Sequence, residues 1–288
     1  MIYYKKCGEV VKGKNYNESW YNIVIDSDND GYYIDSSGNN KVLFKFRKNI
    51  FNDTLSNLAI NTFLKFSKLK HSGRGIAAGI LPGQKNARTI NPKNGQNEGQ
   101  YVSSNISGYY DRPLREHRGL LDSQIACRTT AFTLKNQDLW ISGLPFIEKC
   151  SKIYFKLSPK EWKIQQREYS IINKNLKIPR SVFTTVTSNY NWRTACHCDS
   201  GDFSGGLGNL TVVGRDFSGG YLGFPEFKVV IKIKPGDFLL MDSHVYHCNT
   251  KIKLLKPDGY RLSFVMYIRS DISKCKTKKI IDKTNYLI

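Results

Sequence analysis

Two histidines and one carboxylate stand where they could bind a metal ion together. His197 and Asp199 are two positions apart, and His247 follows much later in the chain. Residues i and i+2 of a β-strand point to the same face, so one strand would present an imidazole beside a carboxylate. Two histidines and a carboxylate are the facial ligand set of non-haem Fe(II) oxygenases, which leaves positions open on the iron. The spacing therefore predicts an iron site at His197, Asp199 and His247.

His244 is the alternative third ligand. It lies three residues before His247, and on a regular strand it would therefore point to the opposite face. A His-x-Asp pair alone arises often by chance, and any single histidine is more often an ordinary core or surface residue. The combination with a Gly236-Asp237 turn, a late histidine and an Arg-x-Ser strand is more specific to an iron site. Because of the strand alternation, we prefer His247 to His244 as its third ligand.

An arginine follows the second histidine on another apolar segment. Arg261 and Ser263 share one face of this segment, since side chains alternate along a strand. We expect its strand to form a hairpin with the strand of His247, joined by the polar loop 251–259. A guanidinium holds a carboxylate through two parallel hydrogen bonds, which a lysine does not reproduce. Arg261, with a hydroxyl from Ser263, is therefore predicted to bind 2-oxoglutarate, with O2 taking another open position on the iron.

Short apolar segments separated by Gly, Asp and Pro turns fill the second half of the chain. Their spacing is typical of a β-sandwich or jelly roll. In a double-stranded β-helix the metal lies between two sheets, and distant strands supply its ligands. We therefore expect a mainly β (α+β) protein with a double-stranded β-helix core, flanking helices and an N-terminal α+β extension. The predicted strands are 182–189, 192–198, 208–213, 228–233, 238–246 and 260–268.

Two helices are expected to flank this core. The apolar residues between Leu55 and Leu69 follow a helical period. Ser158, Pro159 and Glu161 form the pattern of a capping box with proline at the first helical position. The second helix should run from Pro159 to about residue 172.

The remaining regions are organised around the same core. Residues 125–134 resemble a strand that carries Arg128, and the polar stretch 81–108 resembles a long loop. The predicted organisation is an N-terminal α+β extension and loop at 1–110, a dioxygenase core at 111–273 and a basic tail at 274–288.

Charge and cysteine content limit the partners and the compartment. The chain has 288 residues, with Lys+Arg 44 against Asp+Glu 24 and a formal charge of +20. Such a charge favours a polyanionic partner such as DNA, and a merely basic surface is the plainer interpretation. Seven scattered cysteines are typical of a reducing compartment. No signal peptide or membrane span is apparent, so we expect a soluble intracellular protein, nuclear in a eukaryote and otherwise cytoplasmic. No protein partner is indicated.

Several motifs together resemble one known family. The stretch from about Ser107 to Arg269 is similar to the TET/JBP family of Fe(II)- and 2-oxoglutarate-dependent nucleic-acid base dioxygenases. The His-x-Asp pair, the late histidine and the Arg-x-Ser strand are shared by the wider superfamily. The Gly-Gly-Tyr-Leu block and the second acidic residue after His-x-Asp, Asp202, indicate this family more narrowly. The segments that carry the resemblance are 74–79, 108–112, 128–133, 197–202, 219–225, 236–237, 242–249 and 261–263.

The resemblance implies roles for individual residues. His197, Asp199 and His247 would bind iron, and Arg261 would hold 2-oxoglutarate. Asp202 lies where relatives place a carboxylate that contacts the base. Further candidates are Arg128 and Arg193 for cosubstrate or phosphate contact, with a structural ion pair as the alternative, and Tyr109 and Tyr110 for stacking on bases.

The reaction implied is hydroxylation of the 5-methyl group of 5-methylcytosine or thymine in DNA. An oxygenase acting on RNA, protein or a small molecule is the alternative within enzymes. A non-catalytic DNA-binding module of the same fold is the alternative from another class, but such a module has no need for the metal ligands and Arg261 together.

Overall fold

Two unequal sheets and a group of helices form the structure. The computed structural model describes residues 1–70, 75–79, 102–111 and 127–275. The strands are β1 (Ile2–Tyr3), β2 (Ile23–Ile25), β3 (Asn29–Ile34), β4 (Asn40–Arg47), β5 (Ser104–Tyr110), β6 (Arg128–Thr129), β7 (Thr185–Tyr190), β8 (Gly208–Arg215), β9 (Phe217–Gly219), β10 (Leu222–Phe224), β11 (Val229–Ile231), β12 (Phe238–Met241), β13 (Cys248–Asn249), β14 (Ile252–Leu254) and β15 (Tyr260–Tyr267). The α-helices are α1 (Asp53–Ser67), α2 (Ala131–Lys135), α3 (Gln137–Leu157) and α4 (Pro159–Ile171).

The sheet order brings distant parts of the chain together. The nine-stranded major sheet has the order β1-β3-β4-β12-β8-β15-β7-β5-β6, and the four-stranded minor sheet has the order β13-β10-β11-β2. A separate pair joins β14 to β9. Pairing in the described residues is antiparallel except between β1 and β3 and between β11 and β2. Two facing sheets of this kind agree with the predicted double-stranded β-helix.

Strand β12 shows how the major sheet separates two cores. Phe238 and Leu240 pack towards the helices, whereas Leu239 and Met241 pack towards the minor sheet. This alternation is the two-residue period of a strand buried on both faces. The major sheet is therefore the middle layer, with helices outside it and the minor sheet across from its inner face.

Helix α3 is long, and the sequence analysis did not predict it. It contains Gly143 and Pro145, two residue types that weaken or interrupt helices. Gly143 lies against Thr62 of α1, where a Cβ would approach the threonine side chain to 2.7 Å. The glycine therefore permits a close α1–α3 contact, and packing on the sheet compensates for the weak local helix propensity.

The two predicted helices are confirmed, and their N-termini have identifiable caps. The side chain of Asn52 accepts a hydrogen bond from the Leu55 amide at the start of α1. At α4, the Ser158 hydroxyl donates to the Glu161 carboxylate at 2.6 Å, and Pro159 occupies the first turn. The cap of α4 is thus made between side chains and lacks the backbone bond of a full capping box.

Some predicted elements differ from the observed ones. Residues 192–198 do not form a regular strand, and 238–246 is a strand only as far as Met241. Of the predicted strand 125–134, residues 127–134 are described, and in them only β6 is a strand before the chain enters α2. The end of the predicted loop 81–108 belongs to strand β5, while 81–101 lies outside the described residues.

The N-terminal strands are continuous with the core sheets. β4 pairs with β12 of the major sheet, and β2 pairs with β11 of the minor sheet. The division at residue 110 stays a prediction, since the extension and the core share both sheets. The basic tail from 276 onward lies outside the described residues.

Two further features concern membrane crossing and cysteine pairing. No helix in the described ranges is long and apolar enough to cross a bilayer. Cys127 and Cys275 are joined by a disulfide in a small apolar cluster, although the cysteine pattern alone did not indicate one.

Phe264 tests the layer between the major sheet and the helices. This fully buried side chain on β15 contacts Phe63 of α1 and Phe146 of α3. We expect Phe264→Ala to lower the free energy of unfolding by about 3–5 kcal/mol because it leaves a cavity in a packed core. Urea denaturation measures the effect. Ile141→Ala, at a side chain of α3 that is 60% exposed, is the control, and an equal loss there would contradict this view of the core.

Candidate metal centre and cosubstrate pocket

A short backbone pairing brings the two histidines of the site together. The amide of His197 donates to the His247 carbonyl at 3.0 Å, and the amide of His247 donates back to the His197 carbonyl at 2.9 Å. The ring centroids lie 4.4 Å apart. The pairing joins the irregular segment before Asp199 to the residue preceding β13. The ligands therefore meet through one isolated bridge instead of along the predicted strand 192–198.

Both imidazoles are oriented by carbonyl groups of the backbone. Nδ1 of His197 lies 2.7 Å from the Ala195 oxygen, and Nδ1 of His247 lies 2.9 Å from the Val245 oxygen. Since a carbonyl only accepts, each Nδ1 carries the proton and each Nε2 is left with a lone pair. A ligand histidine in metalloproteins has this tautomer and this kind of outer support.

Asp199 completes a compact group of three ligands. Its carboxylate oxygens lie 3.6 Å from Nε2 of His197 and 3.5 Å from Nε2 of His247. The three ligand atoms lie within 4.8 Å of one another. The Asp199 amide donates to the Ser243 carbonyl at 2.8 Å, which fixes this residue to the turn before His247. The predicted triad is brought together as two neutral nitrogens and one carboxylate, a donor set that suits Fe(II).

The electrostatics of this group favour a cation. Burial would lower the pKa of His247, but hydrogen bonding and charge from Asp199 outweigh it and the pKa is raised. The carboxylate therefore attracts positive charge to the space between the two Nε2 atoms. A metal ion there would take the place of the proton that His247 binds when it is charged.

His244 does not join the triad. Its Nδ1 lies 3.5 Å from the Asp242 carboxylate, and its Nε2 lies 3.2 Å from the Asp202 carbonyl. The choice of His247 over His244 agrees with this geometry.

Arg261 is a buried cation that lacks an anion. It is 1% exposed, and its Nη1 donates to the Ser263 hydroxyl at 3.0 Å. Within the described part of the chain, Nε and Nη2 have no hydrogen-bond partner, and burial lowers the Arg261 pKa to about 10. An unpaired buried charge is strongly unfavourable. These unused donors fit the carboxylate of an acid cosubstrate.

Gly220 makes room for this guanidinium. A Cβ at Gly220 would lie 2.6 Å from Nε of Arg261, so a larger residue would displace the side chain. Gly220 also has a φ of +67°, a conformation that glycine adopts without strain. The second glycine of the Gly-Gly-Tyr-Leu block is therefore needed to leave space for the Arg261 side chain.

The strand that carries Arg261 belongs to the major sheet. β15 pairs with β7 and β8, whereas His247 precedes β13 of the minor sheet, and β14 lies between them in the chain. The predicted hairpin between these two strands is therefore wrong. Arg261 thus belongs to the major sheet, whereas His247 adjoins a strand of the minor sheet.

A cavity of about 280 Å³ lies between the sheets at this point. The three metal ligands line it, and so do Ser263 on β15 and Tyr110 on β5. The helical turn Gly75–Ala78 contributes Ile76 and Ala77 to the same wall. The space is thus continuous from the metal ligands to the residue that hydrogen bonds Arg261.

Asp202 and Arg269 form one wall of the cavity that the metal ligands also line. Asp202 is 6% exposed, and its Oδ2 accepts a hydrogen bond from the Ser243 hydroxyl at 3.1 Å. Its Oδ1 lies 3.9 Å from Nη1 of Arg269. Burial and the charge of Asp199 raise the pKa of Asp202 well above its usual range, against the opposing effect of Arg269. The wall combines one carboxyl and one guanidinium.

Arg269 is itself held by a buried carboxylate. Its Nε donates to Asp111 at 3.1 Å, and its guanidinium lies 4.9 Å from the ring centroid of Tyr110. Burial lowers the Arg269 pKa, but Asp111 outweighs it and the pKa is raised, so the group remains a cation. The sequence analysis did not assign functions to Arg269, Asp111 or Ser243, since they come from three separate segments without a diagnostic spacing.

The other predicted site residues lie in different surroundings. Tyr110 lines the cavity, whereas Tyr109 packs in the apolar cores and burial raises its pKa. Arg128 lies over the ring of Tyr110 at 5.6 Å. Arg193 donates to the backbone oxygens of Tyr16 and Asn249 at 2.9 and 3.1 Å, which ties the N-terminal segment to β13. A role of Arg128 or Arg193 in ligand contact stays a prediction.

The fold and the site define a class: a two-sheet β-helix with a His-Asp-His group that could hold a metal ion and a buried arginine close to the cavity. The chain belongs to the Tet_JBP family, the oxygenase domain of the 2OGFeDO superfamily, whose profile matches residues 106–270. This superfamily uses Fe(II), 2-oxoglutarate and O2. The match confirms the family and the cofactors predicted from the sequence.

Individual relatives match in the same region. Thymine dioxygenase JBP1 of Crithidia fasciculata is 34% identical over 178 residues, which is 61% of this chain and 21% of the relative. Bifunctional helicase and thymine dioxygenase JBP2 of Leishmania major is 32% identical over 208 residues, 72% of this chain and 18% of the relative. The chain thus spans about a fifth of the length of these relatives.

A solved structure shares the fold. NgTET1 in complex with 5mC DNA aligns with a TM-score of 0.54 at 15% identity, covering 95% of this chain and 86% of that chain. At this identity the likeness shows the architecture. It confirms the jelly-roll core expected from the strand pattern.

Metal binding tests the assignment of the triad. We expect His197→Ala to weaken Fe(II) binding by more than the roughly 10- to 100-fold loss that follows removal of an outer-shell partner, because a direct ligand is lost. Anaerobic isothermal titration measures the affinity. His244→Ala is the matched control, and it should retain binding since His244 lies outside the ligand set. Equal losses in the two variants would contradict the assignment.

Proposed function

We propose that this chain hydroxylates the 5-methyl group of a pyrimidine in DNA, with 2-oxoglutarate as cosubstrate. The observation that carries the proposal is a cavity lined by the His-Asp-His group and by Ser263, the residue to which the buried Arg261 is bonded. Among the described residues, Nε and Nη2 of Arg261 have no hydrogen-bond partner. A metal site alone would serve many functions. An additional guanidinium with unused donors, bonded to a residue of the cavity wall, supports an acid as the second ligand.

The residues of the chain divide the work of the reaction. His197, Asp199 and His247 would hold Fe(II) and leave positions open for the cosubstrate and O2. Arg261, supported by Ser263, would hold the distal carboxylate of 2-oxoglutarate and so fix its direction. When bound, iron with 2-oxoglutarate and O2 supplies C–H hydroxylation, in which one oxygen atom enters the methyl group and the other enters succinate as CO2 is released.

Apolar side chains form part of the cavity wall. Leu210, Leu222 and Met241 line the cavity beside the metal ligands, and Arg261 is almost completely buried. Electrostatic interactions are stronger in such a space than in water.

DNA as the substrate is supported by charge and by the relatives. The formal charge of +20 favours phosphate backbones, and the matched JBP1 and JBP2 proteins are named thymine dioxygenases. A base paired in a duplex cannot reach a cavity between two sheets. The target base must therefore leave the stack, at a cost of roughly a few kcal/mol.

Cosubstrate binding tests Arg261 separately from catalysis. We expect Arg261→Lys to weaken 2-oxoglutarate binding by roughly 10- to 100-fold, because a lysine does not reproduce two parallel charge-assisted bonds. Isothermal titration into metal-loaded protein measures the effect. Arg215→Lys, at a solvent-exposed arginine on β8, is the control. Unchanged affinity in the Arg261 variant would remove this residue from the cosubstrate site.

Product analysis tests the reaction as a whole. Incubation with Fe(II), 2-oxoglutarate and DNA containing 5-methylcytosine or thymine should give a hydroxymethyl base by nucleoside mass spectrometry, and His197→Ala should give none. Succinate without a base product would keep an oxygenase and discard DNA as the substrate. Neither succinate nor product from iron-loaded protein would favour a binding module.

A further inference from the structure

A second groove lies in the helical layer, outside the major sheet. It has a volume of about 520 Å³ and lies between the last two turns of α3, the first turn of α4 and Arg180. The described residues that line it differ from all those that line the cavity of the metal ligands. A molecule bound in this groove would therefore be separate from the reaction in the cavity.

Two aromatic rings and one isoleucine form the floor of the groove. Phe155 is 44% exposed, and its ring meets Trp162 edge to face, with 4.9 Å between the centroids. Ile153 lines the groove beside them. The one donor of the Trp162 indole, Nε1, is already bonded to the Ser151 hydroxyl at 3.3 Å. These three side chains therefore offer apolar surface and no available hydrogen-bond donor, which suits an apolar or aromatic side chain.

Exposed cations form the rim of the groove. Lys149, Lys152 and Lys156 line it from α3, and their spacing of three and four residues places them on one side of the helix, over about 10 Å of its axis. Arg180 adds a fourth cation from the segment after α4. Glu148 pairs with Lys152 and Arg180 at 2.7 and 2.6 Å, whereas Lys149 and Lys156 have no ion pair among the described residues. The rim is thus positively charged.

Arg180 has a backbone conformation that is unusual for its residue type. Its φ is +54°, in the left-handed region that glycine adopts without strain and other residues rarely take. Its ion pair with Glu148 lies at the surface, since the arginine side chain is 64% exposed, and such pairs contribute little stability. The fold itself gains little from an arginine here, whereas an anionic ligand of the groove would use its charge.

Charge limits what can occupy the groove. Residues 80–101, 112–126 and 276–288 lie outside the described residues, and each range contains more Lys and Arg than Asp and Glu. A second copy of the chain would bring a formal charge of +20. The rim repels both. DNA is an anion, but the polar edge of a base would lose its water on this apolar floor. An acidic peptide with one apolar side chain fits both the floor and the rim.

We propose that the groove between α3 and α4 binds an acidic peptide segment of a partner protein. One aromatic side chain of the segment packs on Phe155 and Trp162, since aromatic rings favour edge-to-face and offset contacts. Carboxylates on either side of it pair with the cations of the rim. Exposed ion pairs contribute little each, so the aromatic anchor supplies most of the affinity. Binding here does not depend on the proposed hydroxylation, because the two sites have no described residue in common.

Fluorescence anisotropy of a labelled peptide tests the anchor. The probe has a central phenylalanine between two runs of three glutamates, and its analogue carries alanine at the centre. We expect saturable binding of the probe to the wild-type chain and roughly tenfold weaker binding of the analogue. Phe155→Ala should weaken binding of the probe by a similar factor. Ile141→Ala, at another exposed apolar side chain of α3, is the matched control and should bind the probe as the wild type does.

Charge reversal tests the rim. Lys149→Glu together with Lys156→Glu should weaken binding of the probe and strengthen binding of a peptide in which lysines replace the glutamates, an effect that unfolding does not produce. Lys41→Glu together with Lys253→Glu, at exposed lysines outside the groove, changes the net charge equally and is the control. Arg180→Gly should weaken binding up to about fivefold without lowering the thermal midpoint, because it removes a cation and relieves the left-handed backbone.

Several outcomes would overturn the proposal. Equal affinity for the probe and its alanine analogue, or equal losses in the Phe155 and Ile141 variants, would leave only attraction by overall charge. Equal effects of the two pairs of lysine substitutions would lead to the same conclusion. Tighter binding of a thymidine oligonucleotide of the same charge, weakened by Phe155→Ala, would assign the groove to nucleic acid instead of a peptide.

Discussion

The reciprocal backbone pairing of His197 and His247 is the constraint on which the site depends. It lies outside the regular strands, yet it brings residues that are distant in sequence to a ring separation of 4.4 Å. The same segments orient both imidazoles through the Ala195 and Val245 carbonyls. Backbone hydrogen bonds thus fix the positions of the two imidazoles. Side chains without such bonds would move more easily.

The major sheet places the second half of the site by alternation. Along β15, Leu262, Phe264 and Met266 pack towards the helices, while Arg261 and Ser263 face the minor sheet. A shift of one residue would exchange these two sets completely. The large apolar surface on the helix side therefore holds the register that keeps a charged side chain between the sheets.

The three residues that the sequence proposed as metal ligands lie together in the structure, whereas much of what surrounds them was not predicted. The His-Asp-His group and the Arg261–Ser263 pair could be found because ligand type and the two-residue period carry both. The expected hairpin was wrong because β14 separates the strands in the chain and pairs with β9, a contact that no local pattern indicates. Helix α3 was not predicted because Gly143 and Pro145 oppose it locally and tertiary packing overrides them. Arg269 and its partner Asp111 come from segments separate from Asp202. Their arrangement around Asp202 is therefore visible only in the folded chain.

The buried Arg261 links ligand binding to the stability of the fold. Two donor atoms of this buried charge have no partner among the residues that the structure describes, whereas the unfolded chain keeps the charge in water. Any carboxylate that pairs with Arg261 removes this disadvantage in the folded state only. By linkage, the fraction of folded molecules rises with the concentration of such an acid relative to its dissociation constant. Under the proposed function, the concentration of 2-oxoglutarate would therefore raise the folded fraction as well as the rate of the reaction.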